Sequence, residues 1–495
     1  MTSTSVPAAA SRTDAPTSVE RLGSHRIGGR EVAARGVREI ERVSPVDGRP
    51  LVVLVPADGQ EVEAAVAGAY GARRGWRRTA PGERAAALRT AAAGVRERAE
   101  ELGHLLTQDT GRLLTQSVAS AQVAADILEE AATTGLGAAG RALAGDPLAL
   151  DVVRREPHGV VAVITPWNDP YPAAAGLLAA ALVTGNTVVH KPSERSPRAG
   201  WELARTIAAA FPPGVLEVLN GDGETGAALV ADARVALVAQ VGSSATGRAV
   251  ARAAGERGAR VLRENGGKDA LIVDSGVDPT WAAQQIATGA FTNTGQLCTS
   301  VERVYLHQDV ADAVLDALVE IAWGLRVGAP DDPGTDLGPL VDVVQRDVVA
   351  RHVDEAVAAG ARVLAGGRAL DGPGAFYAPT VLDGCTADMA VMRDETFGPV
   401  AAVTRVPDFA TALDLADAGA YGLAATVLTP RLDHALLAGE QLDVGTVKVN
   451  AVFGGAPGGS ADPRRESGAG AGYGPDLLAA MTQLKAVHVE PAVTG

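Results

Sequence analysis

The stretch Val160-Val161-Ala162-Val163-Ile164, the apolar run over residues 172–183 and the Thr187-Val188-Val189-His190 that follows decide the fold. Five consecutive apolar residues rich in β-branched side chains read as a strand covered on both faces. Residues 172–183 are apolar on nearly every side and stop at Gly185-Asn186, as a buried helix with a glycine terminator does. A second strand starts directly afterwards. The unit then recurs, with a helix over 199–211, a strand over 215–219, a short helix over 225–230 and a strand over 235–241. Strands alternating with helices across short connections predict a parallel sheet with crossover helices.

On either side the rhythm changes. Residues 61–130 carry a helical pattern, clearest over 86–106, with no strong strand signal. Residues 135–150 turn to Gly, Ala and Leu, and 151–157 are charged with scattered apolar positions, a crossover or a projecting ribbon between lobes. Downstream, Ala270-Leu271-Ile272-Val273 opens a further series, and a helix over 281–291 leads toward Cys298. Alternation continues through 301–306, 311–323, 348–359, 363–365 and 410–416, so a second α/β lobe is expected. Residues 454–474 are crowded with Gly, Pro, Arg and Asp and read as an irregular loop. A chain of 495 residues fits two or three lobes rather than one core.

Composition narrows the function classes. Hydrophobic residues make up 47% and aromatics only 3%, so Ala, Val and Leu must carry the packing. A formal charge of −15 disfavours nucleic acid or an anionic membrane as partner, since both require a basic surface. Residues 1–25 are read as a disordered tail, rich in Ala, Ser, Thr and Pro to about Ser18 and without the pattern of a signal peptide. The apolar run 173–183 is too short to span a bilayer. Two cysteines, Cys298 and Cys385, make no disulfide framework and fit a reducing cytoplasm. No metal site is read from the sequence.

Several motifs carry chemistry. The strand at 235–241 runs into Gly242-Ser243-Ser244-Ala245-Thr246-Gly247 and a helical 248–254. Such a turn offers free backbone N–H groups and a positive dipole end to a phosphate. Arg248 and Ala249 stand where a P-loop needs Lys and Ser or Thr, which argues against nucleotide hydrolysis. Only four lysines occur among 44 basic residues, and one of them, Lys191, opens Lys191-Pro192-Ser193-Glu194 at the carboxyl end of a strand, where open α/β sheets bind ligands. Ile164-Thr165-Pro166-Trp167-Asn168-Asp169-Pro170 ends another strand, with prolines fixing the turn around Asn168. An Asn amide held in this way is able to donate to an oxyanion, although a bare Asn in such a turn is more often a turn former. Cys298 lies in Gly295-Gln296-Leu297-Cys298-Thr299-Ser300, 34 residues after Glu264-Asn265-Gly266-Gly267-Lys268. A thiol with an upstream carboxylate suggests covalent catalysis, one group attacking and the other activating water to release a thioester. Taken alone, such a Cys is more often a buried inert thiol.

Together with Glu395-Thr396-Phe397-Gly398-Pro399, these motifs occur in an order and spacing that resemble the aldehyde dehydrogenase superfamily, over nearly the whole chain from about Arg26. The resemblance implies a Rossmann-like NAD-binding domain over 26–132 and 151–262, a catalytic α/β domain over 263–450, and a small projecting oligomerisation ribbon from 133–150 and 475–495. It implies NAD⁺, with NADP⁺ as a second option, lying along Ile164, Thr165, Trp167, Lys191, Ser193, Glu194 and Gly223. The pyrophosphate would lie near Gly242 and Ser243, Glu395 on the nicotinamide ribose and Phe397 on the ring. Cys298 would attack the aldehyde, Asn168 and the Cys298 amide would hold the oxyanion, and Glu264 would activate the hydrolytic water. The retained Glu264 points to a free acid product rather than a CoA thioester. A small-molecule aldehyde is the expected substrate, in a cytoplasmic homodimer or homotetramer.

The alternative is a catalytically silent relative acting as a binding or structural protein, against which intact Cys298, Glu264 and Asn168 argue. A short-chain reductase is disfavoured because no Tyr is followed four residues later by Lys. Against the family pattern, Asn265 replaces an apolar residue, Gln240-Val241 precede the phosphate loop in place of Phe-Thr, Ala471 stands where Arg is usual, and 456–466 are rewritten. Asp169, Ala173 and Gly176 thin the aromatic funnel to the substrate. A roomier, more polar pocket is expected, with Asp169 either attracting an amino- or hydroxyl-bearing aldehyde or capping a helix.

Overall fold

The computed structural model describes residues 19–137, 140–455 and 459–492. The expected parallel sheet forms around Val160–Ile164, which lies between Val235–Val241 and Thr187–Lys191. Arg260–Glu264 extends it on one side and Leu216–Val218 on the other, all parallel. Ser24–Ile27 and Arg30–Ala33 close one edge antiparallel, and Gly468–Ala469 closes the other, giving eight strands. Ile164 is in register with both Lys191 and Gln240. The turns after these three strands therefore open at one rim, where the chemistry-bearing motifs lie.

The apolar 172–183 run is the centre of the helix Pro170–Val183, which is buried along most of its length between the sheet and the helix Leu114–Thr134. Its prolines fall in the first turn, where a missing N–H costs no hydrogen bond. At its other end Trp76 Nε1 donates to the carbonyl of Leu182 at 3.0 Å, beside the Gly185 amide that donates to the same oxygen at 3.1 Å. The helical pattern of 61–130 resolves into Gly59–Arg78, Pro81–Glu97, Ala99–Thr110 and Leu114–Thr134. The first opens with a capping box: Asp58 accepts from the amides of Gln60 and Glu61, and Glu61 returns the bond to the Asp58 amide.

The second α/β lobe is built on seven strands in the order Arg362–Ala365, Thr380–Asp383, Val400–Val406, Val301–His307, Asp269–Val273, Ala424–Leu428 and Thr446–Val449. All neighbours are parallel except the first pair. A separate three-stranded sheet joins Leu150–Pro157 antiparallel to Thr482–Val489, with Arg141–Ala142 at its edge. Residues 151–157, grouped above with the cofactor-binding lobe, thus pair with the C-terminal segment, the ribbon alternative of the two read from the sequence.

Two further expectations change. Residues 20–25, counted with the tail, are ordered in strands: Glu20–Leu22 pairs parallel with Pro50–Leu54 and Ser24–Ile27 joins the large sheet, because Leu22 and His25 are buried. The tail over 1–18 lies outside the described residues. The loop over 454–474 is partly regular, since Arg464–Arg465 pairs with Tyr421–Gly422 and Gly468–Ala469 with Arg260–Glu264; residues 456–458 lie outside the described residues. No helix among the described residues is long and apolar enough to cross a membrane.

Candidate active site

One cavity of about 960 Å³ runs between the lobes, and Cys298, Glu264 and Asn168 all line it. The thiol sits after an unusual turn. Asn293 and Thr294 have φ of 51° and 57°, and Gly295 follows at 71°. A β-branched Thr in that region is strained, and such strain persists only where neighbours hold it. Here Thr294 Oγ1 donates to Gly338 O at 3.0 Å, and the Gln296 amide group donates to Asn293 O at 3.1 Å while accepting from the Val341 amide at 2.9 Å. Gly295 is required sterically as well, since a Cβ there would stand 2.1 Å from Gly398 O. The Gly-Gln pair therefore anchors the nucleophile loop against the loop that carries Phe397.

Asn168 reaches the same turn. Its Nδ2 donates to Gln296 O at 3.0 Å, and its own carbonyl accepts from Arg112 at 3.2 Å. An amide nitrogen carries two protons, so one remains for an oxyanion. Among the described residues the Cys298 amide donates to no acceptor, leaving a second donor.

Glu264 ends its strand with its backbone held on both sides, in register with Val241 and Gly468. Its carboxylate has no hydrogen-bond partner among the described residues, and burial raises its pKa. A Cβ on Gly472 would stand 2.5 Å from Oε2, so the C-terminal segment lies directly against the carboxylate. The Cys298 thiol is part-exposed at the pocket wall. Its pKa is driven far above the ordinary thiol range, by burial first and then by the carboxylates of Glu264, Asp269, Glu395 and Asp169. The thiol thus holds its proton at rest and must lose it before attack.

Along the other half of the cavity, the turns from the parallel sheet form a groove. Ser243 caps the helix Ser244–Gly255 by accepting from the Thr246 amide at 3.3 Å, and the helix presents its first amides to the groove. A Cβ on Gly223 would meet nothing within 4 Å, which leaves room for a flat ligand. Lys191 is buried with its ammonium donating to Gly221 O at 2.8 Å, Pro192 O at 3.1 Å and Glu194 Oε2 at 3.3 Å. Thr165 Oγ1 lies 2.9 Å from His190 Nε2, and burial lowers the His190 pKa to about 3, so that imidazole stays neutral. Trp167 packs edge-on to Phe397 at 5.5 Å. Ile164, Ser193, Gly242 and Glu395 complete the lining. An anion-receptive helix start, open space at Gly223 and an acceptor-rich rim fit a dinucleotide.

Residues unassigned in the sequence hold this groove together. Buried Lys268 pairs with buried Glu302, which also accepts from the amides of Thr396 and Phe397 at 2.8 Å each. A pair of this kind is expensive to leave half-made, so it fixes the Glu395-Thr396-Phe397 turn. Glu395 then accepts from the Gly267 amide at 3.2 Å, with a pKa pushed up to about 8 by burial and Glu302. Gly266 permits that approach, since its Cβ would stand 2.0 Å from Glu395 Oε1. Arg195 bridges the lobes, bonding Asp342 at 2.7 and 3.0 Å while its guanidinium lies 4.8 Å above Trp167. The available signal for Glu302 was a Glu-Arg pair inside an otherwise apolar strand.

Asp169 does not act as the helix cap. Its side chain makes no cap bond; it pairs with Arg112 at 3.1 Å and accepts from Ser120 Oγ. Its charge is compensated, so the channel beside it is less polar than the sequence suggested. Among the described residues no group of three or more His, Cys, Asp or Glu could hold a metal ion.

A thiol, an unpartnered carboxylate and an amide donor beside a dinucleotide groove are shared by one family. The model of the Aldehyde dehydrogenase family matches residues 32–487, and the chain belongs to that family. It is an NAD(P)-dependent aldehyde dehydrogenase that converts an aldehyde to the carboxylic acid through a cysteine thiohemiacetal and thioester, hydrolysed by a Glu-activated water; a silent binding protein is not favoured. Among its relatives, the betaine aldehyde dehydrogenase of Cereibacter sphaeroides (strain ATCC 17025 / ATH 2.4.3) is 37% identical over 478 residues, covering 94% of this chain and 97% of that one. The solved NAD-dependent aldehyde dehydrogenase from Sinorhizobium meliloti superposes with a TM-score of 0.93 at 32% identity, covering 98% and 99%. Betaine aldehyde dehydrogenase from Staphylococcus aureus, in complex with NAD⁺, gives 0.92 at 26%, covering 95% and 96%.

Proposed function

We propose that Cys298 is the nucleophile, Glu264 the base and Asn168, with the Cys298 amide, the oxyanion site of this reaction. The observation that carries the assignment is the convergence on one cavity of a thiol, a part-buried carboxylate with no hydrogen-bond partner among the described residues, and a free amide proton. Sγ gives up its proton to solvent and attacks the aldehyde carbon, and the oxyanion is met by Asn168 Nδ2 and the Cys298 N–H. NAD⁺, when bound, accepts the hydride. Glu264 then takes a proton from water as that water attacks the thioester, which frees Cys298 and the acid. NADH release from an aldehyde panel, compared between native enzyme and the variants at positions 298 and 264 treated below, tests these roles.

The groove is assigned to the cofactor through Ile164, Thr165, Trp167, Lys191, Ser193, Glu194, Gly223, Gly242, Ser243, Glu395 and Phe397. NAD⁺ is preferred over NADP⁺. Glu194 would repel a 2′-phosphate, and the nearby cations are engaged, Lys191 by two carbonyls and by Glu194 itself, Arg195 by Asp342. kcat/KM with NAD⁺ is expected to exceed that with NADP⁺ about tenfold or more, a difference of ~1.4 kcal/mol; equal values would overturn the preference.

The enzyme is further proposed to be a cytoplasmic homodimer or homotetramer. Free Cys298 and Cys385 suit a reducing compartment. The three-stranded sheet exposes Leu150 and its cross-strand partner Val489 on one face, a patch suited to pairing with a second copy. Light scattering is expected to give at least twice the chain mass, and a monomer would count against this assembly.

A further inference from the structure

We propose that the substrates of this enzyme are bulky, uncharged, apolar aldehydes, and that Gly176 sets the width of the channel that admits them. The inference rests on the preceding reading in taking Cys298 as the channel's inner end.

The channel wall is the helix Pro170–Val183, which turns Ala173, Gly176 and Ala180 toward the cavity at helical spacing, opposite Ile127 and Ala131 of Leu114–Thr134. Gly176 is not demanded by packing. A Cβ added there meets nothing within 4 Å, whereas one on Gly103, at the contact with the same neighbouring helix, would stand 2.4 Å from Val118. The missing side chain at 176 therefore leaves open volume inside the cavity rather than permitting a close approach.

The same wall is poor in the groups that recognise a cation. A quaternary ammonium is held over several aromatic faces. Three aromatic side chains line the cavity, and two of them, Trp167 and Phe397, pack on each other in the dinucleotide half. Tyr473 alone is left, and 48% of its surface is exposed. A single ring makes no cage. The carboxylates do not replace it, because Asp169 is held by Arg112 and Ser120 and Glu130 is solvated. For hydroxyl-bearing substrates Thr134 offers an acceptor only, since its proton is spent on Glu130 O at 2.9 Å. What remains to supply affinity is apolar area with room for a wide group. This departs from the substrate in the name of the Cereibacter relative.

The test uses the purified enzyme with NAD⁺ and propanal, hexanal, cyclohexanecarbaldehyde and betaine aldehyde. For the native enzyme, kcat/KM for cyclohexanecarbaldehyde is expected to exceed that for betaine aldehyde by about tenfold or more. In Gly176→Phe the ratio of kcat/KM for cyclohexanecarbaldehyde to that for propanal is expected to fall about tenfold or more, and Gly176→Leu, the milder change should Phe prevent folding, shifts it the same way. Betaine aldehyde as the best native substrate would overturn the proposal. So would Gly176 variants that lower propanal and cyclohexanecarbaldehyde by one common factor. Failure of the residue roles has a different signature, turnover that survives Cys298→Ala whatever the aldehyde.

Discussion

Cys298→Ala is expected to abolish NADH formation from every aldehyde, a loss of ~10³-fold or more in kcat, because no other group reaches the aldehyde carbon to form the covalent intermediate. The second cysteine offers no substitute: Cys385 is buried in the apolar core of the second lobe. The change removes one sulfur from a loop whose shape is set by Thr294, Gln296 and Asn168 through bonds that do not involve Sγ. Folding and cofactor binding should therefore persist, and fluorescence titration with NAD⁺ separates lost chemistry from lost structure. Substantial dehydrogenase activity in Cys298→Ala would sink the assignment.

Glu264→Gln is expected to slow thioester release more than hydride transfer, by roughly 10²–10⁴-fold, the usual worth of a positioned general base. In rapid mixing this appears as a burst of NADH followed by a slow steady state. An unchanged burst followed by normal turnover would remove Glu264 as the deacylation base. Its pH behaviour follows from its surroundings. Burial raises the carboxyl pKa, so the proton is held to higher pH than on an ordinary Glu, and the basic form appears only above that raised value. Native steady-state turnover should thus decline on the acid side at a higher pH than an ordinary carboxylate would give. The Gln variant should lack that limb.

The sheet around Val160–Ile164 was legible because a strand buried on both faces must be apolar throughout, and the helix Pro170–Val183 because it is apolar on nearly every side. The strands Ile40–Val43 and Pro50–Leu54 passed unread, since they lie in a small sheet whose faces are only half covered and carry no clean alternation. In the site, the thiol and the carboxylate were readable through their motifs, which need glycine where backbone or carboxylate comes close. Glu302 was hidden, because its partners Lys268, Thr396 and Phe397 arrive from distant parts of the chain and no local pattern announces them. Asp169 misled for the same reason. A lone Asp before a helix suggests a cap, and only the fold brings Arg112 and Ser120 to it.

The strand Gly468–Ala469 beside Glu264, with Gly472 against the carboxylate, bears on the order in which the enzyme is made. Glu264 leaves the ribosome long before those residues exist, and domains form as their sequence emerges. A nascent chain can thus complete the core of its large parallel sheet while the carboxylate still faces water, where its pKa has no reason to rise. The surroundings of Glu264 are completed only when residues 468–472 have been laid along the sheet edge.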